Sequence, residues 1–367
     1  MRKVLLLGGT GAMGVYLQEY LQEEPNTEIY ITTRSKRISS ERIHYLQGNA
    51  HDFNFLEKIL TEIKPNAIVD FMVWNSENFK QASSLLLKNT EHYLFLSSYR
   101  VFAEQNPLTE KSPRLLDICN DKEYLKTDEY GLTKARQENI LRQSNFSNWT
   151  ILRPSITFSK NRFQFGCLEA NVLCLRSLQN LPVVIPTEML DKKTTLTWVG
   201  DTAKLICKLI LNPKAYKEDF NLATAENHTW REIAGYYNEF MGTNIKKVSL
   251  EEYTKIVNPW QTKYDRMFNR TLDNTKILNA TGIEQKDFTP LYDGLKKELA
   301  EFKKHPYFAT TNVRQNALTD NICHTRISLR GYGIKDIVFY NLYRHPKIIQ
   351  LFPIKFIKKA KQLLKGK

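Results

Sequence analysis

Strand and helix patterns alternating through the first 75 residues, a glycine-rich turn at residues 8–14, and serines closing a later apolar strand predict an α/β fold. The architecture expected is a doubly wound parallel sheet with a smaller C-terminal lobe and a basic helical tail. Residues 3–7 are a short apolar run ended by glycines, and 13–21 set Val15, Leu17 and Leu21 at helical spacing. Residues 29–33 are a β-branched second strand, 55–63 a helix, and Pro65-Asn66 punctuates the chain before a strand over 67–73. A helix over 79–87 and the strand HYLFLS at 92–97 continue the series. Beyond it come a loop through Pro107 and Pro113, a helix over 130–143, a strand at 149–153, an irregular stretch over 160–200, and helices at 202–211, 229–241 and 292–303.

The turn Gly8-Gly9-Thr10-Gly11-Ala12-Met13-Gly14 lies between the first strand and the first helix. Glycine permits the tight bend and lets backbone N–H groups approach a pyrophosphate, which then sits at the positive end of the helix. Gly8, Thr10, Gly11, Ala12, Met13 and Gly14 are therefore candidates for binding a dinucleotide in a Rossmann-type core. The second strand ends Thr33-Arg34-Ser35-Lys36-Arg37, with three cations and no carboxylate for a free ribose hydroxyl. That pattern favours NADP(H), with Arg34 facing the 2′-phosphate, over NAD(H).

Tyr130 and Lys134 stand four residues apart, on one face of a predicted helix. A phenol with a pKa near ~10 is a poor base at neutral pH, and a nearby ammonium favours its phenolate. Ser97 and Ser98 end the 92–97 strand region at the carboxyl edge of the sheet, where open α/β folds bind ligands. A serine hydroxyl there can hold the oxygen whose proton Tyr130 exchanges.

With these residues in place the chain resembles the extended short-chain dehydrogenase/reductase family of nucleotide-sugar epimerases, dehydratases and reductases. The resemblance runs in order through GGTGAMG, QGNAHDFNFL, SSYRVF, YGLTK, ILRPSITF, TLTWVGDTAKLI, FNLATAENHTWREIA and TLDNTKILNATGI, over about residues 3–304. It implies Ser98, Tyr130 and Lys134 as catalytic residues, Lys134 and Tyr130 also at the cofactor, Asn49 near the adenine and Pro154 beside the nicotinamide. Met72-Val73 replaces the family's usual Ala pair, and Tyr99-Arg100 stands where a 4,6-dehydratase has Asp-Glu, which disfavours dehydration. These departures resemble an atypical branch that includes plastid RNA-binding proteins.

The organisation this implies is a dinucleotide-binding core over 1–154 completed by parts of 195–225, a mainly substrate-binding lobe over 155–304, and a basic extension over 305–367. The expected function is an NAD(P)-dependent nucleotide-sugar epimerase or keto-sugar reductase, with an RNA-binding or scaffold protein of the same fold as the alternative. Arg162, Arg176, Arg266 and Arg270 are candidates for the substrate diphosphate, Arg270 first among them. Asp70 ends an apolar strand, where a capped or paired carboxylate is the expectation and a ligand contact the alternative.

Charge and cysteine usage limit the partners. The 367 residues hold 53 Lys+Arg against 39 Asp+Glu, a formal +14. Residues 305–367 carry 12 Lys/Arg against Asp320 and Asp336, a local +10 that leaves +4 for residues 1–304. The basic tail lacks the aromatic stacking platform of single-strand binders, so nucleic acid is not the expected partner. Apolar residues at 354, 356, 357, 360, 363 and 364 alternate with lysines at about the helical period, which suits contact with an anionic membrane through 347–367. A second copy of the chain is a further partner compatible with the pattern. Five scattered cysteines without C-x-x-C or metal-ligand spacing predict free thiols and no metal. No stretch approaches the ~18 apolar residues of a membrane span, and a cytoplasmic enzyme, with its tail at the inner membrane face, is the expectation.

Overall fold

The computed structural model describes residues 1–308 and 310–345, and the chain divides into two compact units. The first comprises 1–161, 193–227 and 268–295, and the second 162–192, 228–267 and the described residues from 296 on. The first unit includes 193–227, of which parts of 195–225 were expected to complete the core, and it also takes 155–161 and 268–295 from the lobe expected over 155–304. The extension expected from 305 brings its described part into the second.

The first unit is built on a seven-stranded parallel sheet. Its strands are β1 (Arg2–Leu7), β2 (Thr27–Thr33), β3 (Ile43–Gln47), β4 (Ala67–Asp70), β5 (His92–Leu96), β6 (Trp149–Pro154) and the Glu218–Leu222 strand. They lie in the order Glu218–Leu222, β6, β5, β4, β1, β2, β3. The order reverses between β1 and β4, the switch point where doubly wound sheets open a crevice. Helices on both faces explain why Val4–Leu7 and all of β4 and β5 are buried: a strand covered on both sides reads as a continuous apolar run. The helices α1 (Ala12–Glu23), α2 (Phe53–Ile63) and α3 (Ser76–Lys88) make the first crossovers.

Two boundaries differ from expectation for local reasons. Helix α2 begins at Phe53 because the Asp52 side chain caps the N–H groups of Asn54 and Phe55. Strand β4 stops at Asp70, whose Oδ1 accepts the N–H of Met72 and turns the chain out of the sheet. Strand β3 was not apparent in the sequence: it is an edge strand of half-exposed residues, without the apolar run that marks the buried strands.

The stretch 160–200, expected to be irregular, holds regular elements. Strand Ile156–Phe158 pairs with Leu196–Trp198 in the first unit, and the second unit has the helix Ala170–Leu178 and the strand pair Val183–Pro186 and Ile245–Val248. These elements are short, and the helix buries Val172, Leu173, Cys174, Arg176 and Ser177 together, which blurs any amphipathic period. In the second unit, capping boxes at Thr229/Glu232 and Ser249/Glu252 start the helices Trp230–Met241 and Leu250–Ile256. The helices Val313–Cys323 and Ile334–Arg344 pack through Asp320, which pairs with Arg176 Nη2 at 3.0 Å and accepts the N–H of Ile327 at 2.8 Å and the Tyr340 hydroxyl. Among the described residues no helix is long and apolar enough to cross a membrane. The amphipathic segment 354–364 lies outside the described residues.

Candidate functional site

A cleft of about 390 Å³ opens in the first unit at the carboxyl end of β1, β2 and β4. Gly8, Thr10, Gly11, Arg34 and Asn49, all candidates from the sequence, line it. Gly8 has φ +70°, the left-handed region glycine favours, and its N–H donates to Thr32 Oγ1 at 2.9 Å, tying the turn to β2. Gly14 allows a second close approach: a Cβ there would stand 2.2 Å from the Gly9 carbonyl oxygen. Gln18 Nε2 donates to that oxygen at 2.7 Å and to the Gly14 carbonyl at 3.0 Å, so the turn is held from within α1. Ala12, Met13 and Gly14 form the first turn of α1, and that turn has no acidic residue and no side-chain cap. Its leading N–H groups and positive dipole end suit a pyrophosphate. A bent turn, a cradle that only glycine leaves open and a cleft of this size fit a dinucleotide.

Asn49 follows β3, and its Oδ1 accepts the N–H of His51 at 3.2 Å. Arg34 follows β2 and is exposed. Pro154 ends β6 and is buried, in register with Leu222. Other lining residues escaped the sequence reading, among them Thr32, Gly48, Ala50, His51 and Phe71. Met72 and Val73, which replace the family's usual Ala pair and were expected to narrow or reshape the cofactor groove, line the same cleft.

Tyr130 opens the helix Tyr130–Arg142 and is 38% exposed, whereas Lys134, one turn on, is 3% exposed. Lys134 Nζ lies 4.5 Å from the centre of the Phe95 ring and 5.8 Å from that of Tyr130. Burial drives the ammonium down to about 8, against the opposing pull of Asp70 and Glu138. Ser98, buried after β5, accepts the N–H of Arg100 at 3.2 Å and starts a single turn over Tyr99–Val101. Arg100 then sets its guanidinium 5.2 Å from the Tyr130 ring centre and pairs with Glu129. Glu129 also caps the N–H of Gly131 at 2.7 Å. A Cβ on Gly131 would stand 2.6 Å from the Arg100 carbonyl oxygen, so this glycine lets the serine turn reach the start of the tyrosine helix. The turn that follows Ser98 and the start of the helix that carries Tyr130 and Lys134 are thereby packed together at one corner.

Glu138 was not among the sequence candidates, although its spacing, one further turn along the face of Tyr130 and Lys134, was a usable signal. It accepts Arg153 Nε and Nη2, each at 2.8 Å, and the Ser97 hydroxyl at 2.6 Å. The structure therefore assigns Ser97 to holding the strand end, while Ser98 belongs to the corner.

The four arginine candidates fall in different places. Arg270, in the first unit, is buried and turns Nη1 to the carbonyls of Phe102 and Ala103 at 2.9 and 3.1 Å. In the second unit Arg176 pairs with Asp320, and Arg266 donates to the Gly166 carbonyl at 2.8 Å and pairs with Asp265. Arg162 is exposed.

Solved structures share this fold. WbmH of Bordetella bronchiseptica, in complex with NAD+, is 14% identical with a TM-score of 0.64, over 84% of this chain and 100% of that one. The dTDP-glucose 4,6-dehydratase of Bacillus anthracis, in complex with NAD, is 16% identical with a TM-score of 0.64, over 83% and 97%. The UDP-glucose 4-epimerase of Thermotoga maritima, with UDP-glucose, is 17% identical with a TM-score of 0.63, over 82% and 99%. No curated protein matches the chain. The sequence model of the NAD dependent epimerase/dehydratase family matches residues 4–223, more than half of the chain, and the protein belongs to this family of extended short-chain dehydrogenase-type enzymes.

Proposed function

We propose that the protein is an NAD(P)-dependent nucleotide-sugar epimerase or keto-sugar reductase that works through Ser98, Tyr130 and Lys134. The observation that carries this reading is the buried Lys134 behind an exposed Tyr130 on one helix face, locked to the Ser98 turn by Arg100, Glu129 and Gly131. When bound, the nicotinamide dinucleotide supplies hydride exchange with a sugar carbon. The Gly8–Gly14 turn would hold its pyrophosphate, Arg34 a 2′-phosphate, Asn49 the adenine, Lys134 the ribose, and Pro154 would lie beside the nicotinamide. The three cations after β2 support NADP(H) as the preferred form.

The chain's own residues manage the proton. Tyr130 takes a sugar hydroxyl proton or returns it to a carbonyl oxygen, Lys134 lowers the cost of the phenolate, and Ser98 donates to the same oxygen and fixes its direction. A keto sugar that turns over within the site gives an epimer, and one that enters and leaves as an alcohol is reduced. Arg270 is the substrate-side residue proposed for the nucleotide diphosphate. The basic, amphipathic sequence of 347–367 supports contact with an anionic membrane surface, and the same enzyme could act as a homodimer.

Purified protein assayed with NADH and NADPH against a panel of nucleotide sugars and their keto forms is the direct test. Tyr130→Phe is expected to lower turnover by roughly 10²–10⁴-fold, the usual worth of a positioned acid–base group, with little change in melting temperature. Full turnover in this variant overturns the assignment.

A further inference from the structure

Asp70 ends β4 with its side chain fully buried. Three donors converge on its two oxygens: the Met72 N–H on Oδ1 at 2.9 Å, and Trp74 Nε1–H and the Tyr93 hydroxyl on Oδ2 at 2.9 and 2.7 Å. Burial raises the Asp70 carboxyl above its ordinary range, and these three hydrogen bonds together with the charge of Lys134 oppose that rise. A carboxylate accepts at both oxygens, whereas a carboxyl must use one as a donor, so the donor set favours the charged form. All three donors are neutral. The register of the sheet sets Asp70 directly beside Phe95, and Lys134 Nζ rests on the Phe95 ring at 4.5 Å. A buried anion and a buried cation therefore share one neighbour.

We propose that Asp70 is a positioning residue of the reaction: its carboxylate is the counter-ion that keeps Lys134 protonated beside Tyr130, while its hydrogen bonds to Met72 and to the buried Trp74 fix the Met72-Val73 wall of the cleft. The proposal rests on the Ser98-Tyr130-Lys134 reading. The charged and titratable groups around Lys134 are Asp70 and Tyr93 from the sheet, Tyr130 and Glu138 from its own helix, and Arg100 on the far side of Tyr130. Of the two carboxylates, Glu138 is already matched by Arg153 and Arg114. Asp70 has no such guanidinium among its hydrogen-bond donors, which leaves its charge to Lys134. Burial disfavours the Lys134 ammonium, and Asp70 is the foremost of the groups that oppose this. A hub of this kind also couples the two halves of the site, because Met72 lines the cofactor cleft and Gln137, from the tyrosine helix, donates to the Trp74 carbonyl at 2.7 Å.

Asp70→Asn keeps the shape and removes the charge. Two readouts are needed, the pH dependence of kcat and the titration of Lys134 in protein carrying 13Cε-labelled lysine, its resonance assigned by its loss in Lys134→Met. In the parent protein the Lys134 resonance is expected to titrate at about 8, and in Asp70→Asn the midpoint and the alkaline limb of kcat are both expected to move down by about one pH unit or more. An unmoved midpoint overturns the proposal. Should Asp70→Asn not fold, Tyr93→Phe removes one of the donors that favour the anion and is expected to move the midpoint the same way by a smaller amount; no movement there is equally fatal. If Tyr130→Phe retains full turnover the catalytic reading falls, yet the resonance titration still decides whether Asp70 holds the charge of Lys134, so the two failures are separable.

Discussion

Lys134 and Glu138 stand one turn apart on one face of the Tyr130–Arg142 helix, both buried, and their surroundings differ in kind. Glu138 is saturated by Arg153, Arg114 and Ser97, and these partners hold its carboxyl below the usual carboxylate range despite burial. Lys134 rests on an aromatic ring near a carboxylate already engaged by three neutral donors, and burial leaves its ammonium only weakly favoured near neutral pH. A pinned charge contributes to the fold, and a poised charge can change state at working pH. The Arg176–Asp320 pair of the second unit, with both side chains fully buried and 3.0 Å apart, is of the pinned kind.

The largest effect on stability belongs to the pinned carboxylate. Glu138→Gln leaves Arg153 buried without its full counter-charge, and loss of one partner of such a pair costs about 3–5 kcal/mol. Urea unfolding should show that loss, while turnover per folded molecule changes far less than in Tyr130→Phe. Because the carboxyl of Glu138 is depressed in the folded state, its stabilising contribution is present at neutral pH and fades as acid protonates it. A variant of parental stability with no turnover would erase the distinction between the two turns of the helix.

His92 is pinned in its neutral form. Its Nδ1 accepts the N–H of Leu211 at 2.9 Å, Nε2 lies 2.7 Å from Thr150 Oγ1, and burial lowers it to about 4. The unfolded chain binds this proton near ~6.5, so between that pH and 4 the unfolded state holds more protons and stability falls as pH falls, by about 3 kcal/mol for this group. In His92→Gln the acid slope should flatten by that amount without a change in the pH profile of kcat. Parallel slopes in the two proteins would show that His92 does not titrate with unfolding.

These groups also mark how far the sequence could be followed. The placement of Gly8–Gly14, Tyr130 and Lys134 was legible because it depends on spacing within a single turn or helix. What surrounds them was not, since Glu138 meets Arg153 from β6 and Asp70 meets Tyr93 from β5. Asp70 was visible only as a strand-end carboxylate, and the paired role expected of it is the one its three donors describe. Arg270 shows the opposite difficulty: the sequence places a guanidinium near the site region but cannot show that Nη1 is turned to two carbonyls. Strand β3 was missed because an edge strand needs no continuous apolar run.

Arg34 is neither pinned nor poised: it is exposed, at the rim of the dinucleotide cleft, and its effect should be the smallest. An exposed guanidinium facing a 2′-phosphate contributes on the order of 1 kcal/mol, since solvent and salt screen the pair. Arg34→Ser should therefore weaken NADPH binding by roughly five- to tenfold while NADH binding changes by less than about twofold, read from nicotinamide fluorescence at low salt. Raising the ionic strength should shrink the difference, because the contact is electrostatic and open to water. Equal weakening of both cofactors would place Arg34 on a group they share, and unchanged affinity for NADPH would leave the three cations after β2 as a solvated loop and remove the basis for preferring NADP(H).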